Sequence, residues 1–178
     1  MRIAICGTGS DIPVKELQKY YGYRGTPCYC YDYLALITRL VDTCEVVLSQ
    51  DDIQLDAISK VELRGPFMDV AEDHLPRIAD TTINKVTRQW LDLKMHHVTI
   101  LYNVPESHAQ KVDSDFRVFA SYDEKKCRTL GSGFDDCAVS RIFHVVVDLN
   151  KHVPEEAASL IGDGLHDKMI TAIKKDLE

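Results

Sequence analysis

Short apolar runs of the kind that form buried strands alternate with segments of helical periodicity along most of this chain. Arg2–Cys6 is the first such run, and Ile142–Leu149 is a second and strongly β-prone one. Between them, the apolar positions of Ile78–Met95 recur at spacings of three and four, the period of an amphipathic helix. Such alternation favours a parallel sheet with crossover helices. We therefore predict an α/β fold, a single three-layer domain over residues 1–178 with a mostly parallel sheet flanked by helices.

The remaining elements follow from the same patterns. We predict helices at Val14–Tyr21, Tyr31–Val41 and from Pro154 to the C-terminus, and strands at Glu45–Ser49 and His97–Val104. Val61–Phe67 reads as a strand or as irregular structure, and Ser107–Gly133 as a polar segment interrupted by glycines.

Composition excludes several classes of protein. No apolar run approaches the ~20 residues that a bilayer span requires, and the start of the chain lacks the pattern of a secretory signal. The net charge of −7 disfavours nucleic-acid binding, because phosphate neutralisation requires clustered Lys and Arg. The six cysteines include no C-x-x-C pair, which is typical of free thiols in a reducing compartment. We expect a cytoplasmic protein with no membrane association.

A glycine-rich turn follows the first predicted strand. Backbone amides and the helix dipole commonly hold a phosphate where such a turn joins a strand to a helix. The alternative is a purely structural junction, and the sequence leaves both interpretations open. The candidate ligand-binding residues here are Gly7, Thr8, Gly9, Ser10, Asp11 and Lys15.

The Walker A pattern G-x-x-x-x-G-K-[ST] is not present at this turn. Counted from Gly7, the second glycine falls on Ile12, the lysine on Pro13 and the hydroxyl residue on Val14. Proline has no amide hydrogen to offer a phosphate, and valine has no oxygen to offer magnesium. Lys15 comes two positions after the place of the lysine.

Six segments, taken in chain order, carry a likeness to a known group. They are Met1–Ser10 (MRIAICGTGS), Thr26–Ile37 (TPCYCYDYLALI), Glu45–Ile58 (EVVLSQDDIQLDAI), Ala79–His108, Asp113–Arg117 (DSDFR) and Phe134–Phe143 (FDDCAVSRIF). Together they resemble the phage-type AAA ATPases and nucleotide kinases of the P-loop kinase group. The resemblance implies a P-loop-kinase-like sheet, a lid-like segment at about 107–133, and ATP or another nucleotide with Mg²⁺ as the ligand. Arg117 matches the arginine of the lid motif, and Arg117 and Arg128 are candidate phosphate contacts. A solvated surface position is the favoured alternative for each of them.

This chain departs from the group at several charged positions. Asp51 matches the aspartate that ends a strand in the group, but Asp52 replaces the arginine that follows it, and Asp115 replaces the glycine of the lid motif. Asp51 and Asp56 are candidate magnesium ligands, since carboxylate oxygens suit that ion. A solvated strand-to-helix loop is the alternative for this acidic stretch.

Six tyrosines fall within the segment Tyr20–Tyr33. Such a group can form a protein interface or stack on bases, and the small number of nearby arginines favours a protein partner over nucleic acid. Packing of the tyrosines around a loop is the more common alternative.

Taken together, these patterns predict a degenerate P-loop-kinase-like protein that binds a nucleotide, another phosphate ligand or a protein partner without ordinary ATP-dependent phosphotransfer. Two alternatives remain: an active nucleotide kinase or ATPase that uses Lys15, Asp51 and Arg117, and an oligomeric structural protein that associates through its tyrosines.

Overall fold

The computed structural model describes residues 1–42, 72–88, 97–131 and 142–176. In these ranges the strands are β1 (Arg2–Cys6), β2 (Cys28–Asp32), β3 (Val98–Val104), β4 (Phe116–Ser121) and β5 (Val145–Asp148). The helices are α1 (Val14–Tyr23), α2 (Tyr33–Asp42), α3 (Asp80–Arg88), α4 (Glu124–Gly131) and α5 (Pro154–Asp176). Short 3₁₀ helices cover Glu72–Arg77 and Glu106–His108.

The strands form one sheet in the order β2-β3-β1-β4-β5, and every pair in it is parallel. β1 lies at its centre, where Ile3 is opposite Ile100 of β3 on one side and Phe116 of β4 on the other. The predicted α/β class and parallel sheet are confirmed.

Helices cover both faces of the sheet because successive side chains of β1 alternate between them. Ile3 and Ile5 pack with α1 and α5, whereas Ala4 and Cys6 pack with α2, α3 and α4. These four side chains are at most 1% exposed. A strand buried on both faces reads as a continuous apolar run, which is why β1 is recognisable from the sequence.

Most of the predicted elements in the described ranges are present with small changes in their limits. β1 has the predicted limits, β3 begins one residue later than predicted, and β5 covers the later part of Ile142–Leu149. The predicted Ile78–Met95 helix is observed as α3, and its predicted last turns lie outside the described residues. The predicted strand Glu45–Ser49 and the segment Val61–Phe67 also lie outside them.

The structure contains two strands that the sequence analysis missed. β2 occupies Cys28–Asp32, between and partly within the predicted helices Val14–Tyr21 and Tyr31–Val41, where no strand was predicted. β4 and α4 occupy about half of the segment 107–133, for which the resemblance implies a lid. Since β4 pairs with β1 and its last four residues are buried, residues 116–131 belong to the sheet and its helical layer.

The residues that resemble a lid motif are attached to the first strand. Arg2 forms ion pairs of 2.8 Å with Asp113 and 2.9 Å with Asp115, and its backbone N–H also donates to Asp115. Burial alone would raise the pKa of Asp115, but the hydrogen bonds from Arg2 outweigh that effect and the pKa is lowered. These contacts anchor the chain at the start of β4, beside the amino end of β1.

Cys6, Cys28, Cys30 and Cys127 are free thiols, as expected, while the other two cysteines lie outside the described residues. Among the helices in the described ranges, none combines the length and the apolar character needed to cross a bilayer.

Two helical glycines provide a test of the packing between α1 and α5. A Cβ added at Gly162 of α5 would collide with the ring of Tyr20 on α1, whereas one added at Gly22 of α1 has nothing within 4 Å. We predict that Gly162→Ala lowers the free energy of unfolding by about 1–3 kcal/mol, because the overpacked helices must separate. Gly22→Ala should raise it by about 0.5–1 kcal/mol, because alanine favours the helix.

Urea denaturation followed by far-ultraviolet circular dichroism measures both changes. Equal stabilisation by the two substitutions would contradict the close approach of α1 and α5 at Gly162.

Candidate functional site

An open cleft of about 580 Å³ lies at the carboxyl ends of β1 and β3. The chain leaves β1 toward the face that carries α1, and it leaves β3 toward the opposite face, where Ala109 and Val112 join the core. Neighbouring parallel strands whose connections diverge in this way create a crevice, and ligands of open α/β sheets bind there. The residues that line the cleft are Gly7, Thr8, Gly9, Leu34, Leu75, Pro76, Asn103, Val104, Pro105, Glu106, Ser107 and Lys126.

The turn after β1 requires glycine at two positions. Gly7 has a φ of 102°, and a Cβ there would lie 2.5 Å from the carbonyl oxygen of Ala120 in β4. Gly9 has a φ of 90°, and its Cβ would lie 2.7 Å from the ring of Tyr122. Both glycines therefore permit a left-handed backbone pressed against the end of β4.

Some amides of this turn remain available to a ligand. The N–H groups of Ser10 and Ile12 donate to the carbonyl oxygens of Gly7 and Gly9, at 3.2 and 2.9 Å. In contrast, within the described ranges the N–H groups of Thr8 and Gly9 donate no hydrogen bond. Thr8 is exposed, and both residues line the cleft. Backbone N–H groups that face a cleft are suited to bind an anion.

A polar network joins the carboxyl ends of three strands. The buried Ser10 hydroxyl donates to Asn103 Oδ1 at 3.1 Å and accepts from the Asn103 N–H at 3.0 Å. Asn103 Nδ2 then donates to Asp32 Oδ2 at the end of β2, at 3.0 Å. Asn103 also has a φ of 55°, a conformation that asparagine tolerates better than most residues. Since Ser10 is fully buried and already bonded, it fixes the turn and is not accessible to a ligand.

One wall of the cleft is supported by a buried histidine. His108 Nδ1 lies 2.9 Å from the Tyr33 hydroxyl, and its Nε2 contacts the carbonyl oxygen of Leu75. Because that oxygen only accepts, Nε2 carries the proton and Nδ1 accepts from Tyr33. Burial lowers the pKa of His108 and raises that of Tyr33, so both groups are neutral at pH 7.

An ion pair lies at the mouth of the cleft. Lys126 Nζ of α4 is 2.5 Å from Glu106 Oε1, which follows β3. The two side chains are 43% and 37% exposed. Among the described residues that line the cleft, these two carry formal charges.

The structure brings only part of the predicted site together. Gly7, Thr8 and Gly9 line the cleft, whereas Asp11 and Lys15 are exposed and lie outside its lining. Pro13 is buried just before α1, and Val14 packs in the core with α5.

The two predicted arginines are also elsewhere. Arg117 is the second residue of β4, opposite Ala4, and its Nε donates to the carbonyl oxygen of Ala109 at 2.6 Å. Arg128 is an exposed residue of α4, paired at 2.7 Å with Glu124. Neither lines the cleft.

The predicted magnesium ligands Asp51 and Asp56 lie outside the described residues, as does Asp52. Within the described ranges, no group of three or more His, Cys, Asp or Glu side chains is arranged to hold a metal ion. Val14 offers no oxygen, and the Ser10 hydroxyl is bonded to Asn103. The described residues of the cleft therefore do not fit the magnesium site that the resemblance implies.

The tyrosines of the segment Tyr20–Tyr33 do not form one continuous patch. Tyr21 and Tyr33 are core residues, whereas Tyr23 and Tyr29 are 88% and 41% exposed. Arg24 stacks 3.5 Å from the centre of the Tyr20 ring.

Asn103 and Glu106 belong to Asn103–His108, a polar strand end that the sequence indicates as a possible ligand-binding position because it follows a β-prone run. Two other polar residues of the site, Asp32 and Lys126, were not predicted from the sequence. Lys126 follows a strand that was not predicted, so the sequence carried no comparable signal for it.

No protein-family model matches this sequence, and no curated protein matches it either. The function therefore has to be inferred from the chemistry of the cleft.

Two glycines of positive φ provide a test of how closely the turn after β1 approaches β4. Gly7 and Gly25 both have left-handed backbones, but Gly25 has open space where a Cβ would lie. We predict that Gly25→Ala lowers the free energy of unfolding by about 1–2 kcal/mol through backbone strain alone. Gly7→Ala should cost about 1–3 kcal/mol more, because its Cβ collides with Ala120. Chemical denaturation measures both, and equal costs would contradict the close approach of the turn to β4.

The buried histidine predicts a pH dependence of stability. Because the pKa of His108 is lowered in the folded state, the unfolded chain binds the extra proton first as the pH falls. Above the ordinary histidine pKa of about 6.5, His108 is neutral in both states and does not reduce the free energy of unfolding. Below that value the unfolded chain takes up the proton more readily, and the free energy of unfolding falls. The loss has a limiting slope of about 1.4 kcal/mol per pH unit for one histidine. We expect a lower free energy of unfolding at pH 5.5 than at pH 7.0.

His108→Gln should reduce this dependence, since glutamine can donate to Leu75 and accept from Tyr33 without titrating. Burial also lowers the pKa of His144, so His144→Gln is the matched variant that should leave the contribution of His108 in place. If the free energy of unfolding of His108→Gln falls with pH as steeply as that of the unsubstituted protein, the pKa of His108 does not differ between the folded and unfolded states.

Proposed function

We propose that the protein binds a phosphate-bearing ligand, with a nucleotide as the best candidate, in the cleft between β1 and β3, and that it does not carry out P-loop phosphotransfer. The observation that carries this proposal is the Gly7–Gly9 turn, which lines the cleft and in which the N–H groups of Thr8 and Gly9 donate to no described residue.

The size and lining of the cleft support a ligand of this class. Its volume of about 580 Å³ lies within the ~300–1,000 Å³ of small-molecule sites. The turn and Lys126 offer N–H donors on the rim, while Leu34, Leu75 and Pro76 offer apolar surface. A ligand with an anionic group and a flat apolar group would use both kinds of surface.

The residues at the start of α1 argue against phosphotransfer by the P-loop route. Transfer of a phosphoryl group depends on a lysine and a metal ion that neutralise the moving charge. Pro13 and Val14 stand where the lysine and the hydroxyl residue are required, and both are buried. Lys15 is exposed and lies outside the lining of the cleft. The resemblance to P-loop kinases therefore supports the ligand class and not the reaction.

Ligand binding is testable by thermal unfolding. A ligand that binds only the folded state raises the melting temperature in proportion to the logarithm of its concentration well above Kd. We predict that ATP, ADP and pyrophosphate raise the melting temperature and that adenosine alone does not, because recognition lies in the phosphates. Gly9→Ala should abolish the rise, since its Cβ would push the turn against Tyr122. Gly25→Ala is the matched variant that should preserve it.

Two results would overturn the proposal. One is a melting temperature that none of these phosphates changes. The other is transfer of labelled phosphate from ATP to a nucleoside monophosphate at roughly 1 s⁻¹ or faster, the lower end of ordinary enzyme turnover.

A further inference from the structure

The ion pair at the mouth of the cleft joins two elements that are 20 residues apart in the chain. Lys126 is the third residue of α4, and its backbone N–H donates to the carboxylate of Asp123 at 3.0 Å. Glu106 begins the 3₁₀ helix that follows Pro105. The two side chains therefore meet across the cleft from opposite sides of β1, since β3 and β4 flank that strand.

Lys126 is held over the cleft by a second contact. Its Nζ lies 5.8 Å from the centre of the Phe119 ring, and that ring is buried in the core. A cation at this distance from an aromatic face is attracted to it. The contact favours the ammonium near the strand ends even without its carboxylate partner.

The charges of this pair oppose each other in their effect on an anion. Lys126 attracts a phosphate, whereas Glu106 repels it and occupies the same ammonium group. With both present, the charged residues in the described lining of the cleft sum to zero.

We propose that Lys126 is the cation that recognises the ligand's phosphate, an inference that rests on the function proposed above. Glu106 is then a competitor within the protein, which the phosphate displaces from Lys126. The ligand class is one with adjacent phosphates, because the ammonium of Lys126 and the N–H groups of Thr8 and Gly9, which donate to no described residue, belong to the lining of one cleft.

Displacement of Glu106 is thermodynamically easy. An ion pair as exposed as this one favours the paired state of its two side chains by a factor of up to about five. A charge-assisted hydrogen bond from Lys126 to phosphate raises the association constant of the ligand by about ten-fold or more. The exchange therefore favours the ligand, while the carboxylate reduces the apparent affinity.

The experiment measures binding of pyrophosphate and of ATP by titration calorimetry to the full chain. We expect Glu106→Gln to tighten both by about three- to ten-fold, and Lys126→Gln to weaken both by at least about ten-fold. Glu124→Gln and Lys125→Gln make the same changes of net charge on exposed residues of α4 outside the lining of the cleft, and they should change neither affinity beyond about two-fold. Melting temperatures without ligand should stay close together in all four variants, since surface charges contribute little to stability.

The outcomes separate this inference from the function on which it rests. Pyrophosphate binding that neither Glu106→Gln nor Lys126→Gln alters beyond the control variants would overturn the inference and leave the proposed function intact. Weaker binding in both variants would also overturn it, because Glu106 would then support the site and not compete for it. If neither the unsubstituted protein nor Glu106→Gln binds pyrophosphate or ATP, both proposals fall.

Discussion

The close approach of the turn after β1 to the end of β4 is the constraint on which the site depends. β1 is central and buried on both faces, so the chain leaves it between two neighbouring strands. Gly7 makes that exit with its backbone against the carbonyl oxygen of Ala120, where a side chain would collide. The turn is thereby held beside the strand ends, where Gly7, Thr8 and Gly9 line the cleft. A structural requirement of the fold and the proposed binding surface coincide in the same glycine.

Polar side chains then fix the strand ends relative to one another. Ser10, Asn103 and Asp32 form a continuous network from β1 through β3 to β2. The register between β1 and β3 shifts near Cys6 and Val104, and the left-handed Asn103 lies next to this irregularity. A bulge of this kind re-aims the chain at the end of a strand. Here it directs Pro105 and Glu106 toward the cleft, so a local irregularity sets the position of a charged group.

The sequence predicts the central part of this molecule better than its edges, for physical reasons. β1 and β3 are recognisable because burial on both faces makes them continuous apolar runs. β2 lies at the edge of the described sheet, its cysteines alternate with tyrosines, and the turn residues before it obscure the pattern. β4 follows the polar residues that bind Arg2, so its apolar part reads as the end of a loop. Of the site, the glycine turn is predictable from local chemistry. The pair of Glu106 and Lys126 is not, because only the parallel arrangement of β3 and β4 beside β1 brings them together.

The protonation states of the groups beneath the cleft favour binding over catalysis. A general base has to exchange a proton near the operating pH. His108 is fully buried, its Nε2 proton is committed to Leu75, and its Nδ1 accepts from Tyr33, so the ring has no nitrogen left for a substrate. Cys6 at the end of β1 is equally inert, since burial raises the pKa of its thiol to about 12 and keeps it protonated. The described part of the cleft thus has hydrogen-bond donors at its rim and neutral, buried side chains beneath it. That combination supports the proposed binding of an anion, and among the described groups neither His108 nor Cys6 has the free, titrating atom that a general base or nucleophile needs.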